Sequence, residues 1–322
     1  MLPVPDALVS TIIPVFNRAA MLREAVGSVL AQTHRPIEIV IVDDGSTDDT
    51  AAAAEALAAE HPDIVRVIHQ PNGGVGSARE AGRGAIRGAF VQHLDSDDLL
   101  LPRKFELQVA ALQRDRDAAI AYCRGVHLDA AEQRVACSWK PLLAGETAIF
   151  PSFLKARMWD TNTPLYRREI IDAAGPWTTL RSEEDWEYDC RIGAANPRLV
   201  FVDEELAVVS NHDAARLSGR RDPEVLRDRA RAHALILAHA RRAGVSDDAP
   251  EMQHFSRELF LLARQCGAAG LRDESRELFL LARSAAGGKG DRLQFRAYAA
   301  LARLIGWQGV GKLAAVADRL RS

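Results

Sequence analysis

Short apolar runs alternate with amphipathic stretches along residues 9–94. Four of the runs have the length and the β-branched composition of buried strands, at residues 9–15, 38–42, 64–69 and 90–94. Helical patterns separate these runs, at residues 20–32, 51–59 and 77–86. Repeated strand–helix units predict an α/β fold, a mostly parallel sheet with helices on both faces.

The rest of the chain divides into a mixed segment and a helical one. The mixed segment predicts a helix at 102–114, a strand at 119–123 and a hairpin around 129–133. From residue 223 the pattern is helical almost throughout. The sequence Ser-Arg-Glu-Leu-Phe-Leu-Leu-Ala-Arg occurs twice there, which predicts two consecutive helices with the same apolar stripe, at 256–264 and 275–283.

The composition is that of a soluble globular protein, with 48% apolar and 26% charged residues. The apolar runs are far shorter than the roughly 18 residues that span a bilayer, and residues 1–6 do not have the form of a signal peptide. Four cysteines without a Cys-x-x-Cys pair argue against a zinc site or a disulfide framework. We therefore expect a cytoplasmic protein.

The net charge of −3 hides an asymmetry between the two parts of the chain. Residues 216–322 carry a net +8, and residues 1–215 carry a net −11. The basic C-terminal helices could contact the inner face of a membrane or a phosphate-bearing acceptor. A solvated helical face accounts for the same charges. The sequence leaves both interpretations open, and it also leaves open whether the chain forms a homodimer.

Three carboxylates follow the fourth apolar run, at Asp95, Asp97 and Asp98. Carboxylates this close resist joint ionisation unless a cation lies among them. Oxygen ligands at this density suit Mg²⁺ or Mn²⁺, and we assign Asp97 as the metal ligand. The alternative, that Asp98 caps the next helix, explains one carboxylate of the three.

Other unusual residues also follow predicted strands, at 14–17, 43–48 and 73–79. In open α/β sheets ligands bind outside the carboxyl ends of the strands, so these loops predict one binding site. The glycine loop at 73–76 lacks the spacing of a dinucleotide fingerprint and the Lys-Ser/Thr ending of a P-loop, and its glycines could simply relieve a tight turn. Arg79 is either a fixed cation for a diphosphate or an ordinary surface arginine.

Four motifs follow one another along the chain: Thr-Ile-Ile-Pro-Val-Phe-Asn at 11–17, Ile-Val-Asp-Asp-Gly-Ser-Thr-Asp at 41–48, Asn-Gly-Gly-Val-Gly-Ser-Ala-Arg at 72–79 and Leu-Asp-Ser-Asp-Asp at 94–98. In this order they resemble the nucleotide-binding half of the family 2 glycosyltransferases with a GT-A fold, of the bacterial cell-surface polysaccharide type. The resemblance covers about residues 8–213. It implies a GT-A domain over residues 1–215, with a nucleotide-binding half (1–100) and an acceptor half (101–215), before a helical region over 216–322.

The resemblance also implies roles for single residues. Residues of the first two loops would hold the base and ribose, Arg79 would contact the nucleotide, and Asp97 would hold the metal. The nucleotide-sugar-binding residues implied in this way are Pro14, Phe16, Asn17, Asp44, Arg79, Asp95 and Ser96. The motif has Glu80 where many relatives carry Asn, a change that we expect to be tolerated.

The segment Ser-Glu-Glu-Asp-Trp-Glu at 182–187 looks like the family's Glu-Asp motif, in which Asp185 would be the general base on the acceptor hydroxyl. Without the resemblance it is an acidic helix start. Glu184 and Trp186 are acceptor-side candidates, although Trp186 fits a core position equally. His212 could reach the metal as a further ligand, whereas a lone histidine is more often structural.

These motifs predict an inverting, metal-dependent transferase that moves a hexose or N-acetylhexosamine from a nucleotide sugar, most simply a UDP-sugar, to a hydroxyl of a glycan or lipid-linked glycan precursor. Because the chain lacks the Gln-x-x-Arg-Trp motif of processive synthases, transfer of a single sugar is expected. One alternative is an inactive nucleotide-sugar-binding scaffold that acts through its helical region. Another is a nucleotidyltransferase, which would need a basic loop near the first strand, and Arg18 alone does not form one.

Overall fold

The computed structural model describes residues 7–129, 131, 133–135, 145–210, 222–290 and 293–319. The chain forms two compact units. The first contains Met1–Ile149, Arg157–Thr179 and Asn196–Ala215, and the second contains Phe150–Ala156, Leu180–Ala195 and Arg216–Ser322. The predicted domain boundary at residue 215 stays a prediction.

The first unit begins with the four predicted strands. They are β1 (Val9–Val15), β2 (Ile37–Asp43), β3 (Val65–His69) and β4 (Phe90–His93), connected by α1 (Ala19–Leu30), α2 (Thr50–Glu60) and α3 (Val75–Ala85). The strands are parallel and lie in the order β3-β2-β1-β4. All seven residues of β1 and of β2 are buried, as expected for central strands covered on both faces. The predicted parallel sheet is confirmed.

The same sheet continues into antiparallel and mixed pairings. Its further strands are β5 (Leu99–Leu100), β6 (Ala118–Leu128), β7 (Arg134–Val135), β8 (Leu165–Arg167) and β9 (Arg198–Ser210), with α4 (Lys104–Arg114) and α5 (Arg168–Ala174) beside them. The order along the described sheet is β3-β2-β1-β4-β8-β6-β9-β5, and β7 pairs with β6. The predicted hairpin after β6 is confirmed, because the Asp129 N–H donates to the Gln133 carbonyl at 2.9 Å.

The second unit is helical. It contains α6 (Glu184–Gly193), α7 (Pro223–Arg242), α8 (Pro250–Ala268), α9 (Arg272–Ala285) and α10 (Leu293–Arg319), together with a 3₁₀ turn at Ser152–Leu154. The predicted all-α C-terminal region is confirmed. Within α10, Gly306 has φ 75° and ψ 165°, so the helix kinks there. None of the helices in the described ranges is long and apolar enough to cross a membrane.

The repeated nine-residue sequence lies in α8 and α9, as predicted, and these helices pack together. Leu259 in α8 and the equivalent Leu278 in α9 are both buried. The hydroxyl of Ser256 donates to the carbonyl of Ala282 at 2.7 Å, which ties the two stripes to each other.

The second helix, predicted at residues 51–59, begins at Thr50 as α2, and the loop before it is held by side-chain hydrogen bonds to Asn17. The alternative that Asp98 caps the next helix is wrong: α4 begins at Lys104, and the residue at its N-cap is Arg103.

Candidate functional site

The loops after β1, β2, β3 and β4 meet at one edge of the sheet. Val15 pairs with Asp43 across β1 and β2, and Asp43 pairs with His69 across β2 and β3. On the other side of β1, Ile12 pairs with His93 at the end of β4. The polar residues that follow these strands are therefore neighbours, as the sequence predicted.

Asp44 holds the glycine loop in place. Gly73 N–H and the Gln70 side-chain amide donate to Asp44 Oδ1 at 2.8 and 2.7 Å, and Gly74 N–H donates to Oδ2 at 2.8 Å. The Asp44 side chain is buried, with 4% of its surface exposed. Gly74 has φ 87°, a backbone conformation that favours glycine. The loop is thus shaped by a carboxylate from the neighbouring strand end.

Asn17 joins the first loop to the second. Its N–H donates to Ser46 Oγ at 3.0 Å, and its side-chain oxygen accepts from Thr47 N–H at 2.8 Å. Pro14 is buried in β1, whereas Phe16 is 44% exposed. A large apolar ring that remains exposed beside this polar loop is suited to stack on a flat ligand.

Each of the first two carboxylates after β4 pairs with an arginine. Arg79 donates to Asp95 at 2.7 Å, and Arg18 donates to Asp97 at 2.5 Å. Ser96, between them, is buried. The side chain of Arg79 is only 2% exposed, so the interpretation of Arg79 as an ordinary surface arginine is wrong. Arg18 is a member of this cluster that the sequence analysis did not assign.

Asp98 differs from its two neighbours because it is buried. Its Oδ1 accepts a hydrogen bond of 3.2 Å from the backbone N–H of Ser210, at the end of β9. Burial first, and then the charges of Asp95 and Asp97, raise the pKa of Asp98 well above its ordinary value. Asp98 therefore connects the carboxylate cluster to β9.

A buried aromatic group lies behind Arg79. The guanidinium carbon lies 4.8 Å from the centre of the Trp177 ring, and the His93 ring meets the same tryptophan edge-on at 5.2 Å. Burial, and next the charge of Arg79, lower the pKa of His93 to about 3, so His93 is neutral at pH 7. The backbone N–H of Trp177 donates to the Glu80 carboxylate at 3.1 Å. Glu80, the residue that departs from the family pattern, therefore has a structural contact.

The donor chemistry at this edge fits a hard divalent cation. Asp95 and Asp97 are 32% and 18% exposed, and Mg²⁺ or Mn²⁺ commonly takes one or two protein carboxylates and completes its shell with water and phosphate oxygens. Within the residues that the structure describes, His, Cys, Asp and Glu side chains form no group of three or more that could hold a metal by themselves. His212 lies outside the described residues.

Asp185 belongs to the second unit. It is in the first turn of α6, and its Oδ1 accepts from the N–H of Trp186 at 2.7 Å. Glu184 is buried. The Trp186 indole N–H donates to the Phe153 carbonyl at 2.9 Å, and its ring meets the His233 ring edge-on at 5.4 Å. Trp186 is therefore partly buried and packs within the second unit.

Two glutamates of this segment are bound to α7. Glu183, with φ 59° at the N-cap of α6, contacts Arg229 at 2.8 Å and His233 at 2.9 Å. Glu187 contacts His239 at 2.9 Å and also pairs with Arg191. Burial alone would raise the pKa of Glu187, but these two partners outweigh it and hold the pKa below its ordinary value. The helix that carries Asp185 is therefore held to α7 by side-chain contacts before and after that residue.

The family model of glycosyl transferase family 2 matches residues 10–174, which is more than half of the chain. The chain belongs to glycosyl transferase family 2, and the resemblance found in the motifs is confirmed.

Curated relatives match a shorter stretch. An uncharacterized glycosyltransferase of Rickettsia prowazekii is 42% identical over 117 residues, 36% of this chain and 36% of the relative. Chondroitin synthase of Escherichia coli is 39% identical over 122 residues, 38% of this chain and 18% of the synthase. The matched stretches thus span about a third or less of these relatives.

Solved structures resemble the chain over nearly its whole length. TarS 1–349 of S. aureus has a TM-score of 0.69 at 18% identity, covering 98% of this chain and 92% of that one. A mannosyltransferase of Pyrobaculum calidifontis, in complex with GDP-Man and Mn²⁺, has a TM-score of 0.51 at 19% identity, covering 99% and 88%. At these identities the likeness concerns the fold, and the predicted GT-A fold with a helical C-terminal region is confirmed.

Proposed function

We propose that the chain transfers a single hexose or N-acetylhexosamine from a UDP-sugar to a hydroxyl group, with inversion at the anomeric carbon and with a divalent cation. The observation that carries the proposal is the strand-end cluster, in which the buried Arg79 is paired with Asp95 next to Asp97. Family membership supports glycosyl transfer from a nucleotide sugar.

The choice of UDP as the nucleotide is proposed from a protein of similar fold. TarS, which shares this fold, has been crystallised with UDP and with UDP-GlcNAc. We assign the base and ribose to Pro14, Phe16, Asn17 and Asp44. Both oxygens of Asp44 accept hydrogen bonds from the glycine loop, and Oδ1 also accepts one from Gln70. We therefore expect Asp44 to affect nucleotide binding by holding the glycine loop in shape.

The diphosphate would lie beside Asp95, Ser96 and Asp97. A divalent cation held by Asp97 would supply positive charge to the departing diphosphate. Mn²⁺ accompanies GDP-Man in the mannosyltransferase of similar fold. Arg79 stabilises the same negative charge from within the protein, because a guanidinium fixed by an ion pair and an aromatic ring loses little entropy on binding an anion.

The base in this proposal is Asp185. The acceptor oxygen forms a bond to the anomeric carbon, the bond from that carbon to the diphosphate oxygen breaks, and its electron pair leaves with the nucleoside diphosphate. Asp185 takes the proton of the acceptor hydroxyl. We propose Glu184 as its acceptor-side neighbour, and we assign Trp186 to the support of α6 because of its packing.

The acceptor class is proposed from the relatives. Chondroitin synthase makes a polysaccharide by its name, which favours a glycan or a lipid-linked glycan precursor as acceptor. An inactive scaffold protein with the same fold remains the alternative, and it differs in one observable: it would bind the nucleotide sugar without releasing the nucleotide.

The test is calorimetric titration of UDP, GDP and dTDP with and without Mn²⁺. We expect one diphosphate, UDP, to bind tightly and in a metal-dependent manner. Asp97→Asn should abolish the metal dependence, and Asp63→Asn, an exposed aspartate between α2 and β3, should leave it unchanged. Failure of all three nucleotides to bind under both conditions would contradict the proposal.

A further inference from the structure

One face of α10 is both apolar and exposed. Leu293 and Leu304 are each 81% exposed, and Leu301 is 42% exposed. Leu301 and Leu304 lie eight and eleven positions after Leu293, so the three leucines share one face of the helix. Single exposed leucines are common on protein surfaces, but a row of them along one helix marks an interaction site.

The opposite face of α10 is apolar as well, and it is covered. Phe295 and Tyr298 are 4% and 7% exposed. Their rings pack on the neighbouring helices, Phe295 on Phe260 at 5.1 Å and Tyr298 on Phe279 at 5.6 Å. The second unit thus buries one apolar face of α10, and the leucine face is a separate surface.

The charged side chains of α10 between residues 293 and 317 are all positive. Residues 293–317 contain no Asp or Glu. They contain Arg296, Arg303 and Lys312, which are all exposed. Long basic side chains can lay their apolar stems along a hydrophobic layer while their charged ends stay in water. A partner with an apolar interior and an anionic surface complements this face.

We propose that the leucine face of α10 lies on the surface of an anionic lipid bilayer. Apolar residues on one side and Arg or Lys at the margins are the pattern of helices that lie in the membrane interface. A second copy of this chain fits less well, because a twofold interface would place the same cations against one another. This inference does not depend on the proposed transfer reaction.

The kink at Gly306 sets how α10 could lie. The straight segment from residue 293 to the kink is about 20 Å long, given the rise per residue of an α-helix. This is shorter than the hydrocarbon core of a bilayer, which is about 30 Å. The segment can therefore rest along the interface without crossing it.

The test is flotation of the full chain with vesicles of phosphatidylcholine alone and with vesicles that also contain phosphatidylglycerol. We expect binding to the anionic vesicles, weakened by high salt. Leu301→Gln combined with Leu304→Gln should reduce binding by about tenfold or more. Arg296→Gln combined with Arg303→Gln should reduce it by about twenty-fivefold, at roughly fivefold for each cation.

The matched control is Leu235→Gln, the same change at an exposed leucine of α7, which should bind as the parent does. Thermal unfolding of each variant checks that the fold is kept. We expect it to be kept because the substituted positions are exposed. Equal binding to both kinds of vesicle, no binding to either, or binding that is unchanged in both double variants would overturn the proposal. So would a dimer that Leu301→Gln with Leu304→Gln dissociates and that does not bind vesicles.

Discussion

The guanidinium of Arg79 donates a 2.7 Å hydrogen bond to the carboxylate of Asp95, and it does so from a side chain that is only 2% exposed. Asp95 itself is 32% exposed. The pair therefore links a cation inside the protein to a carboxylate that a ligand can reach. Charge fixed in this way, before a ligand binds, is the condition for strong electrostatic stabilisation of a leaving group.

Arg79→Lys should lower the affinity for the nucleoside diphosphate by tenfold or more, because an ammonium cannot keep both the ion pair and the planar contact with Trp177. The measurement is calorimetric titration with UDP and Mn²⁺. Arg83→Lys is the matched control on the same helix, since Arg83 pairs with Glu80 instead. Equal losses in the two variants would mean that Arg79 has no particular role.

Trp177→Leu should weaken nucleotide binding by about fivefold to thirtyfold, which corresponds to the 1–2 kcal/mol of a partly desolvated cation–π contact. Trp177→Phe should restore most of the affinity, because phenylalanine keeps a ring face for the guanidinium. If leucine and phenylalanine give the same affinity, the ring has no electrostatic role and Trp177 only fills space.

Gly45→Ala should destabilise the first unit by about 1–2 kcal/mol or more, because Gly45 has φ 77° and an added Cβ would lie 2.8 Å from the backbone nitrogen of Asn72. The measurement is urea unfolding. Gly84→Ala is the control: nothing lies within 4 Å of its added Cβ, and alanine in a helix should stabilise by up to about 1 kcal/mol. A neutral Gly45→Ala would show that the loop adapts freely.

Asp185→Asn should reduce kcat by about 10²–10⁴-fold and leave UDP affinity unchanged, because an amide cannot accept the acceptor proton. The measurement is steady-state release of UDP together with calorimetry. Glu187→Gln, which removes the carboxylate that contacts His239 and leaves Asp185 intact, should give a smaller loss of kcat. An Asp185→Asn variant with full activity would assign the base to another group.

The second unit should lose stability in acid. The pKa of Glu187 in the folded state is held below its usual 4.5. The contribution of Glu187 to the free energy of unfolding is therefore fully present above pH 4.5 and is lost as the pH falls through the lower, folded pKa. Glu183 behaves in the same way. Thermal midpoints measured from about pH 6 downward should therefore decrease once the pH is below about 4.5. Glu187→Gln should make this decrease smaller. A parallel decline in parent and variant would contradict the assignment.

The sequence was sufficient for the parallel part of the sheet, because β1 and β2 are buried on both faces and so have unbroken apolar runs. It was also sufficient for the meeting of the strand-end loops, which follows from parallel pairing. It did not predict β9, whose apolar residues are interrupted by the exposed Asp203 and Glu204 and whose pairing with β6 shifts in register.

The partners of the carboxylates could not be read from the chain. Trp177 lies 97 residues from the Glu80 side chain that binds its backbone, and Asp98 lies 112 residues from Ser210. Local patterns carry no information about contacts at such separations. The same limit applies to Arg18. Its position next to Asn17 was the available sign that it lies near the site, but its ion pair with Asp97 depends on the pairing of distant strands.

The duplicated nine residues in α8 and α9 have identical letters and unequal surroundings. Phe279 is 2% exposed, whereas its counterpart Phe260 is only partly buried, and Leu262 is 2% exposed although its counterpart Leu281 is only partly buried. The same substitution made at equivalent positions of the two copies therefore meets two different environments. Any method that scores substitutions from sequence neighbours alone assigns both copies the same tolerance, and the packing gives them different ones.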